Sequence, residues 1–317
     1  MDIVLARTFL EVLAVGNFQA AAQNLYVTQS AVSLRIKKLE TELGRPVFTR
    51  TKNGAQLTPA GEQFERFARS MVRLWEEARY QVAVPPGLES LLLIGCQYSL
   101  WPRLGMQWLR AIETEMSTTG IRAEVGMPDR LLRMMTDGLL DIAVMYTPQL
   151  RPGLEVRPLL DDTLVLVSTD PDYPSDLDER YISIDWSPEF RSLQSAHFSK
   201  DLMSRVTLAL GSLSTLYVIA NGRAAYFPAR VVEEQVAAGT LHIVADAPAF
   251  PFPAYVVWNP EKDVAQTNQA IALLHRVSEV ADRQQHELVD AAGVTEIDDG
   301  LVPDGQAQGD QPSSKYI

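Results

Sequence analysis

The sequence is poor in the residues that most often carry covalent or metal chemistry. Among 317 residues there is one cysteine, Cys96, and there are four histidines, His197, His242, His275 and His286. A single thiol excludes an intrachain disulfide and a cysteine-rich zinc site, and fits a reducing compartment. Cys96 itself reads as an inert buried thiol or as a redox sensor that has no resolving partner. The dispersed histidines make no HxxxH-type pair, and no GxSxG elbow, phosphate-binding loop or zinc-deaminase spacing occurs, so an enzyme is not expected. The adjacent acids Asp161 and Asp162 are poorly placed to flank one substrate and read as solvent-exposed. Met1 leads into an amphipathic stretch without a cationic prelude and long apolar run, so neither an export signal nor a spanning helix is expected. No repeat of fixed short period is present.

The charge is unevenly distributed. The net charge of −12 argues against a protein that coats nucleic acid along its whole surface. Residues 1–58, however, carry seven Lys or Arg against four acids, net +3, residues 59–87 balance at four of each, and the remainder carries net −15. A basic head on an acidic body suits a DNA reader whose remaining surface avoids DNA.

The basic head holds the most informative stretch, residues 16–43. Ala20, Ala21, Ala22 and Leu25 form a short apolar helix, Tyr26 to Thr28 interrupt it, and Val32, Ile36, Leu39 and Leu43 restore a 3.6-residue period. Thr28 is a good N-cap, which puts Gln29, Ser30 and Ser33 in the first exposed turns of a second helix. Short polar side chains there can approach base edges or phosphates, while Arg35, Lys37 and Lys38 supply sequence-independent attraction to the backbone. The bland alternative is an amphipathic helix pair with solvated cations. Phe18 reads as a core anchor. Beyond Gly44, Lys52-Asn53-Gly54 predicts a hairpin that presents Arg50, Lys52 and Asn53 to phosphate or the minor groove, or else a plain solvated turn. Thr58 and Pro59 then start a long helix reaching about Val84, with Phe64, Phe67, Met71, Leu74, Ala78 and Val82 on one stripe beside Trp75. Such a stripe needs a partner surface. Pro85-Pro86-Gly87 ends it.

From Leu88 the pattern alternates. Strands are expected at Leu91–Ile94, Ile121–Val125, Ile142–Tyr146, Leu164–Val167, Tyr181–Asp185, Val206–Ala209, Arg223–Phe227, Leu241–Ile243 and Tyr255–Trp258. Helices are expected at Leu100–Glu115, Arg130–Asp137, Glu189–Phe198, Leu213–Asn221, Val231–Ala237 and Ala265–Val280. This order indicates an open α/β sheet. Residues 289–317 have little apolar periodicity and read as a disordered tail.

The run Ala20-Ala21-Ala22, Leu25, Thr28-Gln29-Ser30-Ala31-Val32-Ser33, Ile36, Leu39-Glu40, Leu43-Gly44, Phe48, Arg50, Leu57-Thr58 and Ala60-Gly61 resembles the N-terminal signature of LysR-type transcriptional regulators. The later segments Asp137-Gly138, Asp141-Ile142-Ala143, Leu159 to Val167 and Gly222 to Pro228 match the family's layout, although Arg223, Tyr226 and Phe227 alter its usual glycine-rich aliphatic form. Ile94 to Trp101 and Asp185 to Phe190 resemble one branch of the family, which includes an enterobacterial repressor of a flagellar operon. The resemblance implies a multidomain α/β protein: a winged helix-turn-helix over residues 1–58, a dimerisation linker helix and hinge over 59–87, and a two-lobe periplasmic-binding-protein-like effector domain over 88–288. Lobe I would take about 88–160 and 256–288, and lobe II about 161–255. It also implies dimers or tetramers on double-stranded DNA carrying an inverted repeat, contact with RNA polymerase, no membrane, and a bacterial cytoplasmic location. The effector, the operator and the sign of regulation are left open.

A two-lobe α/β domain gathers helix starts and strand ends where a ligand can bind. The first-lobe candidates are Gln97, Tyr98, Ser99 and Met127; the second-lobe candidates are Ser212, Ser214 and Thr215. Hydroxyls and free backbone donors suit a small anionic effector, though several of these residues read equally well as helix caps. Tyr146, Trp186 and Phe227 form either an aromatic wall or ordinary core. No cofactor and no metal are expected. A small-molecule binding or transport module with a helical appendage is the rival reading, and it predicts ligand affinity without sequence-selective DNA binding.

Overall fold

Three capped helices open the chain in the computed structural model, which describes residues 2–51, 54–82, 87–198, 204–262 and 264–297. Asp2 accepts from Val4 N to start α1 (Ile3–Val15), and Gly16, at φ 72°, ends it with its N–H on the Val12 carbonyl. Asn17 Oδ1 takes the Ala20 N–H at 2.7 Å to start α2 (Phe18–Asn24). Thr28 Oγ1 takes that of Ala31 at 3.2 Å to start α3 (Gln29–Leu43), which Gly44 closes at φ 70°. These are the stops and starts that short oxygen-bearing side chains and left-handed glycines provide. β1 (Phe48–Thr51) and β2 (Gly54–Leu57) form an antiparallel wing, Phe48 opposite Leu57. Ala55 N donates to Gly16 O at 2.7 Å, which locks β2 against the α1–α2 turn. A Cβ at Gly54 would lie 2.3 Å from Gly16 O, and φ there is 127°, so only glycine fits.

Phe9 is the centre of the N-terminal core, 5.0 Å from the Phe48 ring and 5.0 Å from that of Phe64. Leu5, Val12, Phe18, Ala21, Val32, Ile36 and Leu39 enclose it, so Phe18 is the anchor its position predicts. α4 (Pro59–Val82) corrects the expected single stripe. Phe64, Ala68 and Val72 face this core with Met71 beside them, whereas Phe67, Leu74, Trp75 and Val82 are exposed. The helix carries two apolar faces because α1 occupies only one side of it. Glu76, also buried, pairs with Arg7 of α1 and with Arg79 at 3.2 Å.

The chain divides into two compact units, one of residues 1–161 and 253–284, the other of 162–252 and 285–317. In the first, β3 (Ser90–Cys96) pairs in parallel with β4 (Thr119–Val125) and with β5 (Ile142–Tyr146). α5 (Met106–Glu115) and α6 (Pro128–Thr136) connect them. The expected helix start at Leu100 is replaced by short 3₁₀ and π turns over Tyr98–Gly105. Pro102 is extended and Arg103 sits at φ 65°, so regular α-helix begins only at Met106. Leu131, Leu132 and Met135 of α6 pack on Leu93, Ala143 and Met145. Asp141 accepts from Leu93 N at 2.8 Å and pairs with Lys262 at 2.5 Å.

β6 (Glu155–Ser168) carries the chain into the second unit, where Leu164–Ser168 pairs antiparallel with β9. There β7 (Ser183–Ile184) and α7 (Pro188–His197) are followed by β8 (Thr207–Leu208), which pairs with β7. α8 (Ser214–Ala220), β9 (Ala224–Pro228), α9 (Ala229–Ala237) and β10 (His242–Ile243) follow. β11 (Pro248–Trp258) returns to the first unit and pairs antiparallel with β5. α10 (Val264–Ala292) runs beyond its expected end, and β12 (Thr295–Glu296) pairs with Pro248 and Ala249. Disorder is therefore not found over 289–297, where buried Val289 and the Ile297 N–H on Ala249 O hold the chain; residues 298–317 of the expected tail lie outside the described residues.

Asp162 overturns the expectation of two exposed acids. Successive residues of a strand point to opposite faces. Asp161 is exposed, and Asp162 is buried with both oxygens on Arg230 of α9, at 3.1 Å to Nε and 2.9 Å to Nη2.

Candidate nucleic-acid interface and ligand-site residues

The frame just described fixes what α3 shows to solvent. Val32, Ile36 and Leu39 turn inward, which leaves Gln29, Ser30, Leu34, Lys37 and Lys38 exposed and Ser33 half-buried. Ser30 Oγ lies 2.9 Å from Thr28 Oγ1, so the capping oxygen also orients the serine. Glu40 Oε1 accepts from Val47 N at 2.9 Å and ties the end of α3 to the start of the wing. Phe18, Ser30, Ser33, Leu34, Lys37 and Phe48 line an open concavity of about 690 Å³. On α3 this surface joins the short hydroxyls of Ser30 and Ser33, the exposed hydrocarbon of Leu34 and the Lys37 cation on a rigid element, which matches what a helix lying in a major groove requires.

Arg35 takes a different position from its neighbours. It is half-buried and its Nη1 donates to Thr8 Oγ1 of α1 at 3.5 Å, on the flank away from the concavity. The sequence places it among the cations but cannot tell which flank of the helix α1 covers. Leu34 was not singled out by the sequence, although its spacing from Ser30 and Lys37 puts all three on one face. Lys52, Asn53 and the Arg50 side chain lie outside the described residues.

The ligand candidates fall in both units. In the first, Gln97 is buried, donates its N–H to Val144 O at 2.8 Å and accepts from Tyr146 N at 3.0 Å through Oε1. It therefore joins β3 to β5. Ser99 is buried beside it in sequence, while Tyr98 and Met127 are exposed. Cys96 is fully buried. In the second unit Ser212, Ser214 and Thr215 are all buried, and Thr215 Oγ1 donates to Ser212 O at 2.8 Å. Ser214 Oγ is buried with no hydrogen-bond partner, an arrangement that costs about 1–3 kcal/mol unless something else satisfies it.

For Trp186 and Phe227 the aromatic alternative resolves toward core. Tyr146, Trp186 and Phe227 are all buried. Trp186 packs edge-on to Phe227 at 5.9 Å and to Phe252 at 5.7 Å, and its indole N–H donates to Tyr226 O at 2.8 Å. Tyr226 in turn meets Phe190 and Phe250 edge-on, and burial holds its phenol far above the ordinary tyrosine range. Of the residues that alter the usual aliphatic run after Gly222, Tyr226 and Phe227 thus fill the second unit's interior, while Arg223 is half-buried. Among the described residues no group of His, Cys, Asp or Glu could hold a metal ion, and no single helix is long and apolar enough to cross a membrane.

A helix-turn-helix with a wing, followed by a long helix and an α/β body, is an architecture that suits a DNA-binding protein. Residues 3–62 match the bacterial regulatory helix-turn-helix protein, lysR family, and residues 86–279 match the LysR substrate binding domain. The chain belongs to the LysR family of transcriptional regulators, and it is not an enzyme. It is 31% identical over 240 residues to the HTH-type transcriptional regulator HdfR of Yersinia enterocolitica, covering 72% of this chain and 81% of that protein. To HdfR of Escherichia coli it is 32% identical over 219 residues, or 68% and 77% of the two chains. Its fold is similar to a full-length OxyR variant of Pseudomonas aeruginosa (TM-score 0.55, 21% identity, 89% and 97% coverage). It is also similar to Vibrio fischeri DarR in complex with DNA (TM-score 0.53, 19% identity, 87% and 98% coverage).

Proposed function

We propose that this regulator binds an inverted-repeat operator as a dimer or tetramer in the bacterial cytoplasm, and that a small effector bound by its α/β body alters promoter binding or DNA bending. The domain division given above belongs to this reading, as does a place in the HdfR-like branch. The observation that carries it is the exposed polar first turn of α3, held at a fixed angle by the Thr28 cap and the Glu40 tie. Gln29, Ser30 and Ser33 read base edges, while Lys37, Lys38, Arg50 and Lys52 neutralise phosphates and Asn53 reaches the minor groove with the wing. Arg35, engaged with Thr8, serves instead to hold α3 on α1. The exposed Phe67, Leu74, Trp75 and Val82 of α4 supply the surface for self-association. The unpartnered Ser214 hydroxyl supports a hydrogen-bonding effector in the second unit, with Ser212 and Thr215 beside it in the chain. Gln97, Tyr98, Ser99, Met127 and Tyr146 are the corresponding set in the first. Contact with RNA polymerase completes the reading.

The test is recovery of sheared DNA from the source organism by the purified full-length chain, with footprints of the enriched fragments across a salt series. Discrete protected inverted repeats beside a few promoters are expected. Recovery indifferent to sequence, with and without cell extract, overturns the operator assignment.

A further inference from the structure

An exposed leucine on a protein surface usually means little. Leu34 differs because of where it stands. Helical residues follow one another by about 100° around the axis. With Val32, Ile36 and Leu39 buried, the opposite face of α3 consists of Ser30, Leu34, Lys37, Lys38 and Thr41, all exposed. Leu34 is the one hydrocarbon among them, and it is 67% exposed at the middle of the helix. Core packing does not account for it, because its neighbours Val32 and Ile36 already fill the interior. The rings of Phe18 and Phe48 line the same concavity and give it an apolar floor.

A leucine can neither donate nor accept a hydrogen bond. Among the groups that base pairs present in the major groove, the only one that gains from contact with a hydrocarbon is the C5 methyl of thymine. Serine at position 30 and threonine at 41 are short, so Leu34 is the longest uncharged side chain among the five residues of the face opposite the core. A helix seated in the groove by phosphate contacts from Lys37 and Lys38 would bring this side chain down to the base edges. We infer that Leu34 is a specificity-determining residue that reads a thymine in each operator half-site through its C5 methyl group. The inference rests on the assignment of α3 as the reading helix, and it goes further by naming the base and the atom.

Deoxyuridine tests it without altering the protein, since uracil keeps every hydrogen-bonding group of thymine and lacks only the methyl. The footprinted operator is synthesised with each thymine of a half-site replaced in turn, and the full-length chain is titrated against each duplex. At one thymine per half-site the affinity should fall about fourfold, the worth of burying one methyl-sized group. The same replacement should leave Leu34→Gln unaffected, whereas Leu34→Met, still a hydrocarbon, should keep the sensitivity. Both variants replace an exposed side chain with a good helix former, so the fold is retained. Indifference of the wild-type chain to every replacement overturns the assignment of Leu34 and leaves the regulator reading intact. So does an equal loss in wild type and Leu34→Gln. Absence of any discrete operator overturns the regulator reading itself, and the inference with it.

Discussion

Replacing one partner of the Asp162–Arg230 pair should cost far more stability than replacing both. The side chains are 0% and 1% exposed, and two charge-assisted bonds of 3.1 and 2.9 Å join them. Arg230→Met removes the guanidinium that donates to both Asp162 oxygens, and Asp162→Asn removes the negative charge opposite Arg230. Breaking a buried pair in this way costs about 3–5 kcal/mol, because the desolvation of the remaining charge is no longer offset. The double variant Asp162→Leu/Arg230→Met removes both charges and keeps most of the volume, so it should cost less than either single change. The readout is urea-dependent hydrogen exchange at the β9 and α9 amides of the full-length chain. That signal is local, and a chain of two units need not unfold in one step. A loss below about 1 kcal/mol for Arg230→Met, or a double variant equal to the sum of the singles, would refute the reasoning.

Gly54→Ala would put a Cβ 2.3 Å from Gly16 O at a φ of 127°, so it should lower the melting temperature through about 1–3 kcal/mol of strain and weaken DNA binding together with it; an unchanged melting curve would count against the wing lock. Leu74→Glu, on an exposed position of α4, should leave the circular dichroism spectrum intact and shift the sedimentation profile toward monomer. Lys38→Ala should reduce the slope of log affinity against log salt by about 0.9 and weaken specific and random DNA alike, while Gln29→Ala should reduce discrimination between them. Hydrogen bonds from Arg180 hold the Asp170 carboxyl below the ordinary range, and they do the same for Asp178 against the upward push of its partial burial. With folded values below unfolded ones, their contribution is present above the ordinary aspartate pKa and is lost as pH falls through the folded values. The stability gap between wild type and Arg180→Met should therefore hold steady from neutral pH to about pH 5 and shrink below about pH 4. A gap that does not change in acid would show that the triad contributes nothing.

Much of the N-terminal architecture could be read from local chemistry. Thr28 and Thr58 lie next to apolar periodic runs, and an oxygen at an N-cap acts within its own turn, so no distant contact was needed to place those helix starts. Gly16 and Gly44 stop helices for an equally local reason. Where the expectation failed, the deciding contact came from a segment distant in sequence or from an unusual backbone. The α4 stripe divided because α1 packs on one side of it. The first helix of the body started late because Arg103 adopts φ 65° beside an extended Pro102. Trp186 and Phe227 proved to be interior once Phe252 and Tyr226 came beside them.

The sequence by itself determined the family, through a density of matched positions between Ala20 and Gly61, and the period and limits of the helices that carry them. Those features depend on interactions within four residues, and a linear pattern records them directly. Only the tertiary structure decided which neighbours of α3 face outward, which of the acids Asp161 and Asp162 is buried, and which hydroxyl is left unsatisfied at Ser214. Each depends on what packs against the residue from elsewhere in the chain. Arg35 and Leu34 adjoin in sequence, but the first meets Thr8, twenty-seven residues away, and the second meets solvent.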